Sequence, residues 1–177
     1  MPSPKLSKSM PVVTSIREAP GREEDVYGWL LSQARELRSH KPNFLDWSGL
    51  AEELDELVAL AKSQVVSRCS QILAHLLKWQ FQTTRRAEKS WRSTIIRERL
   101  TVAEMLDSSS NLRNYMQDKG GFARAYRDAR KLAGTDMDLA PRVWDRVFPQ
   151  ECEWRFEQML DEGFFPPVSA VKVRQPR

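Results

Sequence analysis

Two arginines seven residues apart, Arg92 and Arg99, stand in the stretch SWRSTIIRERL where a helix would place core residues. Seven residues make almost two helical turns, so the two guanidiniums project within roughly 20° of each other. Their shared direction falls between one apolar row, Trp91, Ile95, Val102 and Leu106, and a second, Ile96, Leu100 and Ala103. The helical stretch before it repeats the anomaly with Arg68 and His75, again seven apart, near the middle or edge of an apolar stripe. A buried guanidinium is tolerated only when paired and hydrogen-bonded, and a carboxylate can take it in a two-bonded fork. Glu52, Glu53 and Glu56 are the natural partners. The sequence therefore predicts an internal polar ladder between two helices, built from Glu53, Arg68, His75, Arg92 and Arg99, with Glu52 joining it. Such a ladder could fix helix register, or it could line a pocket for an anionic ligand or a nucleic-acid phosphate.

Other chemistry is thinly represented. Helical di-iron carboxylate proteins use Glu-x-x-His pairs on facing helices, but the residues three before His40 and His75 are Leu37 and Ile72. Two histidines without a Cys-x-x-Cys pair argue against a zinc site, so neither metal nor cofactor is expected. Cys69 and His75 lie six apart, on different sides of one helix. Cys69 reads as a small apolar core thiol. Gly-rich phosphate loops, nucleophile elbows and kinase signatures are missing. Arg85, Arg86, Lys89 and Arg97 form a basic group beside Trp91, a composition suited to nucleic-acid contact, although Trp91 fits a helix core better.

Helices must position these groups. Tyr27, Leu30, Leu31, Ala34 and Leu37 recur at helical spacing behind Asp25, which suits a cap. Pro42 breaks the chain. A second helix, capped by Asp46 or Ser48, can run from Leu50 to about Arg85 without Pro or Gly. Leu50, Leu54, Leu57, Ala61, Val65, Ile72, Leu76 and Trp79 form its apolar stripe, and Val66, Leu73 and Leu77 add another side, so residues 65 to 81 should be central. Ser90 is read as the cap of a third helix reaching Leu106. The fourth meets Gly120-Gly121, which predicts a kink or break, and should stop at Gly134. Pro141 opens a short element, and QECEWRFEQMLDEG reads as a last helix before FFPP leaves the fold. The expected fold is all-α, an up-down bundle of about four main helices plus short C-terminal helices. Residues 1–22 read as a disordered leader, 23–166 as a single domain and 167–177 as a basic tail.

Composition agrees. The 177 residues are 41% hydrophobic and 29% charged, with seven glycines, enough for one real core. The net charge of +4 lies partly in the tails, and acids interleave with bases elsewhere, which weakens a nucleic-acid reading. Two cysteines and the lack of a secretory signal suggest a cytoplasmic chain. No apolar run is long enough to span a bilayer.

Read together, DVYGWLLSQARELR, DWSGLAEELDEL, ILAHLLKWQFQ, SWRSTIIRERL, AYRDARKLA and FPQECEWRFEQMLDEGFFP resemble, in order, a bacterial family catalogued as domain of unknown function twenty-nine. The resemblance covers about residues 24 to 166 and implies a mostly helical protein without an established activity. Glu52, Glu53, His75, Lys78, Trp79, Ser90, Trp91 and Arg92 match its recurring elements, and it assigns none of them a role. The sequence thus leads to a binding module for an unknown protein partner rather than a catalyst. Two alternatives stay open: a nucleic-acid-associated protein, and an enzyme or small-ligand binder using Glu53, His75 and Arg92 in an inter-helix cleft.

Overall fold

The computed structural model describes residues 21–40, 42–82, 88–118 and 120–169. The expected leader up to residue 20, Arg85 and Arg86, and the tail from residue 170 lie outside the described residues. Among the described residues the chain is all-α, with seven α-helices, one 3-10 turn and no strand. It divides into two compact units, Met1–Asp55 and Glu56–Arg177.

In the first unit α1 spans Val26–Arg38, and Asp25 caps it by accepting from the Gly28 N–H at 2.9 Å. A short 3-10 turn, Pro42–Phe44, leads to α2, which runs from Trp47 to Phe81 and so continues into the second unit. Asp46 is the cap of α2: its carboxylate accepts from the Gly49 N–H at 2.9 Å, while its own N–H donates to the Gln33 side chain at 2.8 Å. Gly49 is needed for closeness, since a methyl there would come within 2.8 Å of the buried Trp29 ring. Arg22 lies 5.8 Å from the Trp29 ring centre and pairs with Glu52 and, at 3.4 Å, with Glu53.

In the second unit the later part of α2 is central, as its all-round apolar character predicts. Val65, Cys69, Ile72, Leu73, Leu76 and Leu77 are sealed from solvent. Helix α3, Glu88–Asp107, contributes Ile95, Val102 and Leu106. It starts two residues before Ser90, which therefore sits in the first turn instead of capping it. Helices α4, Ser110–Asp118, and α5, Gly121–Asp136, part at Gly120, whose φ of 80° suits a residue without a side chain. Gly134 does not end α5 as expected. It lies inside the helix because the Trp144 indole presses against it and leaves no room for a methyl group. Helix α6, Pro141–Val147, opens on proline as expected, and Trp144 within it donates to the Leu139 carbonyl at 2.9 Å.

Two expectations change at the C-terminal end. The last helix, α7, is only Phe156–Leu160, and Cys152 to Trp154 are not helical. The FFPP stretch does not leave the fold: Phe164 and Phe165 pack against the core and Pro166 is buried. A third change concerns α2. The apolar stripe extends to its start, but Leu54 and Leu57 are exposed, and only the later half of the stripe is buried.

Candidate functional site

On α2 the polar residues Arg68, Gln71, His75 and Lys78 follow one another at three- and four-residue steps, so they form one row along the helix. The row runs from half-exposed to deeply buried. At its open end Arg68 pairs with Glu98 of α3 at 2.8 Å. Glu98 is buried and takes a second guanidinium, Arg97, at 3.2 Å. At its closed end Lys78 is 5% exposed, pairs with Asp136 of α5 at 2.5 Å and lies 5.5 Å from the Trp91 ring centre. His75 sits between the two pairs. Its Nδ1 is buried without a hydrogen-bond partner. Burial, then the nearby Lys78 and Arg97 charges, push its pKa down to about 4 against the opposing pull of Asp136 and Glu98.

The inward arginine of α3 has another solution. Arg99 is 2% exposed and, among the described residues, forms no ion pair with a carboxylate. Its Nε donates to the Met159 carbonyl at 2.7 Å, one terminal nitrogen to Glu162 at 3.3 Å and the other to Phe164 at 2.8 Å. These carbonyls lie at and just beyond the end of α7, where unpaired acceptors and the helix dipole favour a cation. Burial lowers the Arg99 pKa to about 10, partly offset by Asp161 and Glu162, so the side chain is charged at neutral pH. Arg92 is exposed but lies 5.2 Å from the Phe165 ring centre, with Arg99 at 5.4 Å and Trp79 at 4.7 Å from the same ring. The Ser169 N–H donates to the Gln80 carbonyl at 2.7 Å, which satisfies an acceptor at the end of α2. Residues 159 to 169 are thus laced to α2 and α3 by two arginines, one aromatic ring and a backbone bond.

The expected ladder accordingly divides among different partners. Arg68 meets Glu98, Arg99 meets main-chain carbonyls, Arg92 meets an aromatic face, and Glu52 and Glu53 meet Arg22. Of the basic group, Lys89 and Arg97 are exposed, and Arg97 is held by Glu98. Three residues that sequence reasoning left out of the cluster prove central. Lys78 could have been found, because it completes the three-and-four row begun at Arg68. Glu98 and Asp136 gave no such signal, since each finds its cation by tertiary packing 30 and 58 residues away.

Clefts open on the second unit, one of about 280 Å³ between Ser63, Ser67 and Ser70 of α2 and Arg124, Asp128 and Lys131 of α5. A polar one of about 440 Å³ is lined by Ser63, Gln64, Ser67, Arg68, Gln71 and Glu98. An apolar one of about 450 Å³ lies between Val58 and Ala61 of α2 and Met105, Leu112 and Tyr115 of α3 and α4. The Lys62 ammonium rests 5.3 Å from the Tyr115 ring centre. Beside this cleft α2 bares apolar side chains: Leu57 is 54% exposed and Val58 53%. The thiols are not poised for attack, because burial pushes Cys69 up to about 12 and Cys152 to about 11. Among the described residues no group of three or more His, Cys, Asp or Glu side chains could hold a metal ion, and no helix is long and apolar enough to cross a membrane.

The family described as domain of unknown function DUF29 matches residues 22–165 of the chain. No curated protein and no solved structure matches it. With most of its length inside that match, the chain belongs to the DUF29 family.

Proposed function

We propose that this DUF29 chain is a binding module that docks a protein partner and catalyses no reaction of its own. The carrying observation is the uncovered apolar face of α2. Leu57, Val58 and Leu60 of the second unit, all more than half exposed, fall within four consecutive residues. Single exposed apolar residues are normal, but a concentrated patch marks an interaction surface. Burying one such side chain contributes roughly 1.5–3 kcal/mol, so a partner covering three of them gains substantial affinity before any polar contact.

The charged groups support the same reading. The half-exposed Arg68 and the buried Lys78 and Arg99 already have carboxylate or carbonyl partners. They stabilise the platform that carries the face. The test is photo-crosslinking in living cells with a benzoylphenylalanine placed at Leu57, and a control at the exposed Arg127 on α5. The binding reading expects a discrete covalent adduct from position 57 and none from position 127. Adducts absent from both, or equally strong from both, would overturn it.

A further inference from the structure

We infer that the cleft between α2 and α5 binds a small phosphate monoester that also carries hydroxyl groups, a ligand of the sugar-phosphate class. The site shares no residue with the docking face at Leu57, Val58 and Leu60, and it goes beyond the binding-module reading.

The two walls of the cleft repeat one spacing. Ser63, Ser67 and Ser70 stand on α2 at steps of four and three residues, and Arg124, Asp128 and Lys131 stand on α5 at the same steps. Each trio forms one row along its helix. The rows border a common space of about 280 Å³, wholly within the second unit. Arg124 and Lys131, seven residues apart, project within roughly 20° of each other.

These cations are not committed elsewhere. On the same helix Arg130 pairs with Asp145, and Asp136 pairs with Lys78. Arg124 and Lys131, both exposed, form no ion pair among the described residues, although Asp128 lies one turn from each. Two positive charges therefore border the cleft against one carboxylate. Across from them Ser63 and Ser67 are exposed, and their hydroxyls make no hydrogen bond among the described residues. Ser70 is buried, and its hydroxyl donates to the Val66 carbonyl at 2.7 Å.

The donor set names the ligand. A guanidinium, an ammonium and two hydroxyls converge from two helices. A phosphate monoester, with three terminal oxygens pointing in different directions, can meet them together. Arginine supplies the planar fork and lysine a point charge. Asp128 adds selectivity. Free phosphate would meet that carboxylate as a like charge, whereas an ester can turn a hydroxyl toward it to donate a hydrogen bond. Room for the hydroxyl-bearing part lies next door. Ser63 and Ser67 also line the polar cleft of about 440 Å³, which continues over α2 to the amides of Gln64 and Gln71. The two spaces together fall within the usual size of small-ligand sites.

The test is isothermal titration calorimetry of the full chain at low salt. The probes are glycerol, ribose and glucose, each phosphorylated at its terminal hydroxyl, alongside the unphosphorylated compounds and inorganic phosphate. At least one ester should bind saturably, at least about tenfold tighter than inorganic phosphate, and its unphosphorylated parent should give no binding heat. Arg124→Gln with Lys131→Gln, whose sites are exposed and whose fold is checked by circular dichroism, should weaken the ester at least about tenfold. Asp128→Asn should strengthen inorganic phosphate and narrow its gap to the ester. Added salt should weaken the ester, since the cations are exposed. Absence of binding by all three esters would overturn the inference, as would ester binding unmoved by the double glutamine variant. Equal affinity for ester and inorganic phosphate would also overturn it, because the cleft would then hold an adventitious ion only. So would a single-stranded RNA that displaces the ester and binds more tightly, because the occupant would then be a phosphodiester polymer.

Discussion

Arg99 shows how a full positive charge can be kept in a helical core without an ion pair. Three carbonyls at the end of α7 supply oxygen acceptors that would otherwise face an apolar interior, and an unmet buried acceptor costs about 1–3 kcal/mol. Arg99→Ala should therefore destabilise the protein by about 2–4 kcal/mol in urea titrations and expose residues 159–169 to limited proteolysis. Arg92→Ala, which removes only a contact with the Phe165 ring, should cost about 0.5–1 kcal/mol. His75 gives the residue scale a pH dependence. Its folded pKa of about 4 lies below the ordinary 6.5. Between those values the unfolded chain binds a proton that the folded chain refuses, so stability is full above pH 6.5 and falls as pH drops toward 4. Allowing for the partly open ring, the loss is of order 1–2 kcal/mol. His75→Gln should flatten that slope when urea midpoints at pH 7 and pH 4.5 are compared; an unchanged slope would assign it to the carboxylates. The inward place of Arg99 can be read from its apolar neighbours at helical spacing. Its partners cannot, because every residue owns a carbonyl and only the packing of α7 decides which three point at the guanidinium.

At the scale of elements, α2 is one helix with two environments. From Val65 onward it is enclosed; before that its leucines face outward. Periodicity cannot separate the two halves, since Leu54 and Leu76 occupy equivalent positions in the same stripe and burial depends on what packs against each. Substitution should separate them. Leu76→Ala should cost about 2–5 kcal/mol, as expected for a cavity in a sealed core, whereas Leu54→Ala should stay within about 0.5 kcal/mol. Chemical denaturation of the two variants checks this directly, and a large loss at Leu54 would mean that its face is covered. The local rules did fix several boundaries: Asp25 and Asp46 cap where their side chains reach the third following N–H, and Pro141 opens α6. They misplaced Gly134, because a glycine that serves close packing looks in sequence like one that stops a helix, and the Trp144 ring that needs the space is ten residues away.

At the scale of the molecule, the two units differ in how much holds them. Among the described residues of Met1–Asp55 the buried side chains are Trp29 and Gln33, supported by the Asp25 and Asp46 caps and by Arg22 over the indole. Within Glu56–Arg177 a contiguous core joins residues from α2 to α7. Local opening is easiest where few apolar contacts must break. Hydrogen exchange followed by mass spectrometry should therefore find the amides of α1 exchanging through low-energy opening, well before global unfolding. Those of residues 65–81 should exchange only with global unfolding, and protection should step down along α2 near the boundary at Asp55. A physical reason connects this gradient to the proposed role. Leu57, Val58 and Leu60 belong to the second unit yet stay more than half exposed, while the same helix from Val65 onward is anchored in that unit's core. Binding a partner along that face would add apolar contacts and raise protection in residues 57–61 first. Equal protection along the whole of α2 in the free protein would mean that the exposed face is already stabilised, and would remove the reason for a partner to cover it.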